Sequence, residues 1–316
     1  MDEQLFATAD RRVAGPPRDL VGYGEHPPPV RWPGDARVAV QIVVNFEEGS
    51  ERSYPMGDAV NDSALHELPM IAQTGRDLGV ESMYEYGSRA GVWRLFRIFD
   101  ASGAPVTFFA SAVALERVPE VACKLVARGD EAAGHGFRWV DHPPMSREEE
   151  REVIARTVAS IAATTGRRPL GWFSRKMSTN TRELIVEEGG FVYDAESFSD
   201  DLPYWTVVGG RAHLIVPYTM VFNDGRFVLG TGYAGPSDFY DHLKCGLDRL
   251  RNDGDEVGRV MSIGLHPRIV GNPARAEPLA RFIDYAQSFP DVWFARRIDI
   301  ANVFREQVPP PETPPQ

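Results

Sequence analysis

Residues 36–49 read ARVAVQIVVNFEEG, and their interpretation decides the fold. Val38, Val40, Ile42, Val43 and Val44 form a β-branched apolar run without polar alternation, the mark of a strand buried on both faces. The run ends in two adjacent carboxylates, Glu47 and Glu48, followed by Gly49. A buried parallel strand that delivers acids into the loop at its C-terminal end is how α/β enzymes place chemistry. The plain alternative is a pair of glutamates that solvate the end of a strand.

Outward from this strand the chain alternates. PVTFFA (105–110), a short strand running into GHG (134–136), LGWFS (170–174), FVYD (191–194) and GRVMSIGLHP (258–267) read as strands, and HLIVPYT (213–219) and RFVLG (226–230) as shorter β-like pieces. Helical patterns lie between them, one opened by the capping-box sequence Ser146-Arg-Glu-Glu149 and another expected to start at Ser237. Residues 50–89 read as a long irregular loop, of the kind that covers a site or an oligomer contact. Roughly seven or eight strands alternating with helices predict a single closed parallel (β/α) barrel. A doubly wound sheet is the competitor, but GHGFRW lacks the third glycine of a dinucleotide fingerprint. The expected organisation is an extended Pro/Gly-rich arm over 1–34, the barrel over 35–306 and a Pro-rich tail over 307–316.

Composition narrows the partners. With 34 Lys+Arg against 45 Asp+Glu, the net charge of −11 argues against nucleic acid or an anionic membrane surface, and leaves a small-molecule substrate. The two cysteines, Cys123 and Cys245, sit in apolar helical patterns and read as buried free thiols. No apolar leader and no run of 18 apolar residues is visible, so a cytoplasmic protein is expected.

Three strand ends carry candidate chemistry: Glu47 and Glu48 after the first, His135 after the third and His266 after the penultimate one. In a barrel these meet on the C-terminal face. The series resembles the polysaccharide deacetylase (NodB-homology) family, a deformed (β/α) barrel of seven to eight units that hydrolyses amide C–N bonds. The family's Asp-Asp motif appears here as Glu47-Glu48. Its His-x-x-x-His motif appears as His135-Gly-Phe-Arg-Trp139, with tryptophan at the second ligand position, and its last motif as Leu265-His266-Pro267. Longer phrases, among them PRDLVGYG, YEYGSRAGVWRL, HGFRWVD and SIGLHPRIVG, are similar to the family's metal-independent allantoinase branch, and the resemblance runs from about Pro17 to Phe304.

The resemblance implies hydrolysis of a cyclic amide or ureide such as allantoin without a cofactor, by a homo-oligomer (dimer or tetramer). Glu47 would be the base, Glu48 would orient the water or bind substrate N–H groups, His266 would protonate the leaving nitrogen and His135 would polarise the carbonyl. A zinc alternative would need Glu48, His135 and a third ligand such as His142, which lies three residues beyond the usual position. Glu85 and Arg89 would bracket the substrate or a subunit contact, or form a loop ion pair. Trp139, Trp172 and Trp205 would wall the pocket, or fill the core. Asp201 lies in a loop like the family's, or in an ordinary turn, and Arg268 would anchor a carbonyl, or stay solvated. Where the branch has glycines and a proline around a single arginine between Gly171 and Thr181, this chain has Arg175, Lys176 and Met177, which fill space beside a ligand and leave the ring open between allantoin and a different cyclic amide or imide. A metal-dependent glycan N-deacetylase and a non-catalytic ligand-binding barrel are the competing functions.

Overall fold

The first strand, β1 (Val38–Phe46), is buried along its whole length, as its unbroken apolar run requires. The computed structural model describes residues 13–69, 74–230, 232–254 and 257–311; the outermost parts of the expected arm and tail, and residues 70–73 of the 50–89 region, lie outside these. β1 is flanked by β2 (Val106–Ala110) and β8 (Arg259–Leu265), both parallel to it, and its first three residues also pair with β9 (Val292–Phe294). From β2 the sheet continues in parallel through β3 (Glu131–Gly134), β4 (Gly171–Trp172), β5 (Tyr193–Asp194) and β7 (Arg211–Ile215), and ends on β6 (Tyr204–Val208), antiparallel to β7.

The sheet therefore curls into a deformed (β/α) barrel. Among the described residues the expected closure is incomplete: beyond β7 only a single bridge, Asn223 to Gly264, reaches β8. The parallel strands β4 and β5 carry two residues each, too few to keep a regular barrel wall on that side. Helices pack outside: α2 (Val92–Ser102), α3 (Ala112–Arg117), α4 (Pro119–Arg128), α5 (Arg147–Thr165), α6 (Thr181–Glu188), α7 (Pro236–Asp253), α8 (Pro273–Gln287) and α9 (Arg297–Gln307) follow α1 (Leu78–Tyr86). Val92, Leu95, Phe96 and Phe99 turn one face of α2 onto the main core, with Val40, Ile42, Phe108, Phe282 and Leu279.

Four local expectations are corrected. Residues 78–91 are helical rather than loop, because Asp77 caps α1 through Val80 N and the chain runs on through a π-turn, Gly87–Gly91, into α2. RFVLG is not a strand; Asp224–Phe227 form a 3-10 turn started by the Asn223 side chain accepting from Gly225 N. The helix expected at Ser237 begins at Pro236, with the Asp238 carboxylate accepting from Gly235 N. Cys123 and Cys245 are free but exposed, lying on the outward faces of α4 and α7.

A polar layer crosses the barrel below its C-terminal end. The fully buried Arg297 donates to the carbonyl oxygens of Val216 and Pro217, and its backbone N–H donates to Thr107 Oγ1 at 2.9 Å. Glu131 accepts from Thr107 Oγ1 at 2.8 Å, Tyr193 Oη at 3.0 Å and Ile298 N at 3.0 Å. Five elements, β2, β3, β5, the end of β7 and α9, are tied in one buried network.

Candidate active site

The ends of β1, β3 and β8 bring Glu47, Glu48, His135 and His266 together, and each is at most 4% exposed. Glu47 is the hub. Its Oε1 lies 3.2 Å from His135 Nε2 and 3.7 Å from His266 Nε2, and its Oε2 accepts from Arg268 Nη2 at 2.7 Å. Burial by itself would raise the Glu47 carboxyl; Arg268, His266 and His135 outweigh it and hold the group down at about 2.

Glu48 points to the other side. Its Oε2 accepts the Glu47 backbone N–H at 3.0 Å, and its Oε1 is 3.4 Å from Arg268 Nη1. Burial pushes this carboxyl up to about 7, against the pull of Arg268 and with added repulsion from Glu47. The π-turn makes the fit possible: a Cβ on Gly87 would lie 2.3 Å from Glu48 Oε1, and one on Gly91, four residues on, 2.0 Å from the Pro267 carbonyl oxygen. Two glycines on one face let this segment close on the ends of both β1 and β8.

The histidines are held from behind. His135 Nδ1 is 2.6 Å from the Phe173 carbonyl oxygen, which can only accept, so Nδ1 carries hydrogen. The contact of Nε2 with Glu47 then needs a second proton, on the imidazole or on the carboxylate. The His135 ring stacks on Phe173 at 5.5 Å and 6°, and on Phe109 at 5.9 Å. His266 Nδ1 donates to Asp224 Oδ1 at 2.6 Å, while Asp224 Oδ2 accepts from the backbone N–H groups of His266 and Val270. Burial works to lower the His266 pKa, but Asp224 and Glu47 together raise it.

Arg268, buried rather than solvated, supplies the positive charge that balances both glutamates. Its guanidinium lies 4.4 Å from the Tyr84 ring and 5.2 Å from the Trp139 ring, and its Nε donates to the Leu65 carbonyl oxygen. Leu65 has a left-handed backbone (φ 53°), an uncommon conformation for a leucine, so the 50–69 segment is bent at the point where it meets the arginine. Arg175 stacks on Trp139 at 3.8 Å, pairs with Asp62 at 2.5 Å and sits 3.3 Å from Asp141.

The remaining candidates fall elsewhere. Trp172 packs beneath α5 and α6 with Ile154, Leu184 and Ile185, facing away from the barrel interior. Trp205 donates its Nε1–H to Val308 O and packs on the opposite core cluster. Asp201 is exposed, and its carbonyl accepts from Val260 N. Glu85 and Arg89 pair with each other at 3.6 Å on the exposed side of the helix. Of the pocket walls only Trp139 stands at the site. Asp224, Tyr84 and Phe173 are the residues the motifs do not announce. The turn-forming run Asn223-Asp224-Gly225 ahead of a strand ending in histidine is the signal that could have found the first of them.

The zinc set of Glu48, His135 and His142 is not assembled here. His142 spends Nδ1 on Glu150, in a separate buried cluster with Ser178 and Thr181. Trp139 offers no ligand atom, and both glutamates already face Arg268. Among the described residues no three His, Cys, Asp or Glu side chains converge as a metal site requires.

A curled parallel sheet with paired acids and two buried histidines on its C-terminal rim defines the class: hydrolases built on a deformed (β/α) barrel. Residues 73–187 match the polysaccharide deacetylase family. A putative polysaccharide deacetylase of Schizosaccharomyces pombe is 32% identical over 313 residues, covering 92% of this chain and 98% of that protein. The chain belongs to the polysaccharide deacetylase family, whose members act on carbon–nitrogen bonds other than peptide bonds. Two solved structures are each 45% identical across 93% of this chain. One is a probable polysaccharide deacetylase from Pseudomonas aeruginosa PAO1, covered to 99% with a TM-score of 0.90. The other is PuuE allantoinase, covered to 98% with a TM-score of 0.89. Among the described residues no helix is long and apolar enough to cross a membrane.

Proposed function

We propose that the protein opens a small cyclic amide or ureide, with allantoin the first candidate, using side chains rather than a metal to activate water. One observation carries this reading: Arg268 binds both strand-end glutamates, while tryptophan replaces the second histidine of the family motif. The likeness to PuuE allantoinase supports it.

In the proposed step Glu47 takes a proton from water as the oxygen attacks the ring carbonyl carbon. Its place between His135 and His266 suits that role, since both sides of a tetrahedral centre are then served by imidazoles. His135, whose Nε2 faces the same carboxylate oxygen, polarises the carbonyl as the oxyanion forms. As the ring C–N bond breaks, His266 Nε2 donates its proton to the leaving nitrogen, with Asp224 fixing the tautomer and balancing the charge. The proton on Glu47 then returns to His266, and the product leaves as an open-chain carboxylic acid. A carboxylate held near 2 is a weak base in the resting site; a substrate carbonyl that draws on Arg268 or His135 would raise its basicity at the moment of attack.

Proton NMR of allantoin incubated with chelator-treated protein tests the scheme. Ring opening by wild type, with a loss of more than about a hundredfold in Glu47→Gln, is expected. Activity that appears only on adding zinc would overturn the metal-free mechanism. Wild-type turnover in Glu47→Gln would overturn the assignment of the base.

A further inference from the structure

We propose that Phe198 is a substrate-binding residue, an exposed ring face on which a flat cyclic amide stacks as it enters the site. The proposal rests on the ring-amide reading above and narrows it to planar rings. Phe198 follows β5 at the same end of the sheet as the glutamates, and is 60% exposed. Leaving so large an apolar ring open to water forgoes most of the stabilisation its burial would contribute.

Its neighbours show where it stands. Phe198 lies edge-on to Phe173, 6.4 Å between centroids and 85° between planes, and 6.4 Å from Tyr218. Phe173 is the ring that stacks flat on His135, and Tyr218 packs on Phe173 at 4.8 Å. Phe198 is thus the outermost ring of an aromatic series whose innermost member touches Glu47. The rest of the series is buried, and Phe198 alone in it reaches solvent.

The loop that carries the ring is fixed. Ser197 N donates to Ala195 O and Ser197 O accepts from Tyr218 N, each at 2.8 Å. The hydroxyls of Ser197, Ser199 and Tyr204 bond to one another in a triangle of 2.8, 2.9 and 3.2 Å. Little ordering is left to do when a ligand arrives, which is the property of a binding surface rather than of a stray exposed side chain. A hydantoin-like ring offers such a surface its π-face while its amide edge points inward to the donors.

Binding of hydantoin and of 5,5-dimethylhydantoin, whose methyl groups stand above and below the same ring, is titrated by ligand-observed NMR against wild type, Phe198→Ala and Phe198→Tyr. Stacking contributes enough that Phe198→Ala should weaken hydantoin about tenfold, with Phe198→Tyr within about twofold of wild type. The dimethyl compound should bind weakly to all three. An unchanged melting temperature in Phe198→Ala shows that the fold is intact. Equal hydantoin affinity in wild type and Phe198→Ala, an equal loss for both ligands, or no hydantoin binding by wild type overturns the proposal. So does a loss seen with N-acetylglucosamine in place of hydantoin. Because the readout is binding, absence of ring opening would count against the catalytic reading without deciding the role of Phe198.

Discussion

Replacing Arg268 by methionine would leave two buried carboxylates without their counter-charge. Methionine follows the arginine stem as far as Nε and is apolar enough for a site only 2% exposed, so the part of the loss that depends on pH is electrostatic. The displacement of Glu47 from 4.5 to about 2, with Arg268 the largest of the lowering causes, corresponds to about 3–4 kcal/mol at about 1.4 kcal/mol per pH unit. Removing one partner of a buried pair costs about 3–5 kcal/mol in general.

The sign of the pH dependence follows. In the wild type the Glu47 contribution is present above its unfolded pKa and is lost only as pH falls toward about 2. In Arg268→Met, burial and the mutual repulsion of Glu47 and Glu48 raise both carboxyls, so the folded state keeps protons that the unfolded state sheds above about pH 4.5. The deficit against wild type should therefore widen from pH 5 to pH 8. Urea unfolding at both pH values, followed by far-UV circular dichroism, measures it, and Glu47→Gln in the Arg268→Met background should recover part of the loss at pH 8. A deficit that is equal at the two pH values, or larger at pH 5, would refute the pairing described here.

Two further outcomes follow from the same geometry. Asp224→Asn leaves one side-chain oxygen where two accept now; if it stays on the backbone N–H groups of His266 and Val270, the amide NH2 faces His266 Nδ1 and favours the wrong tautomer, so kcat should fall by about 10²–10⁴ with little change in KM, read from steady-state rates on any substrate the wild type turns over. Glu196, buried and accepting from Ser174 N, is pushed up to about 8 by burial, so its stability deficit grows as pH rises from about 4.5 toward 8. Glu196→Gln should therefore raise the melting temperature at pH 9 and leave it nearly unchanged at pH 5, as differential scanning calorimetry would show.

Much of the fold was legible because buried parallel strands leave a direct trace. The runs at 38–44, 105–110 and 258–265 became β1, β2 and β8, and the histidine that ends β8 landed beside the acids that end β1. What escaped is local. α1 was hidden because its apolar face is narrow, only Val80 and Tyr84 being buried, and its two glycines look like loop residues until the close approach to Glu48 and Pro267 is seen. RFVLG has strand composition but sits behind an Asn-Asp-Gly turn, and turn chemistry prevailed over propensity. Of the three tryptophans, Trp139 stands at the site on the loop after β3, whereas strand alternation turns Trp172 and Trp205 to core, and β4 is too short for that alternation to be read. Cys123 and Cys245 lie beside the apolar positions of their helices but on the outward face, a distinction of one helical step. That Arg268 is buried against two carboxylates escaped because nothing near it in sequence says that they await it.

The polar layer below the site has a bearing on how the chain reaches this state. Thr107 and Glu131 belong to early strands, yet their partners include the backbone of Arg297 and Ile298, and β1 is completed on its flanks by β8 and β9. β1 can pair with β2 early, but a ribosome must release almost the entire polypeptide before β8 and β9 reach it. Until then Glu131 and Thr107 lack those partners and β1 offers an apolar edge to any passing chain. Folding dominated by such distant pairings is slow, and a nascent chain of this kind depends on protection from aggregation for nearly the whole of its synthesis.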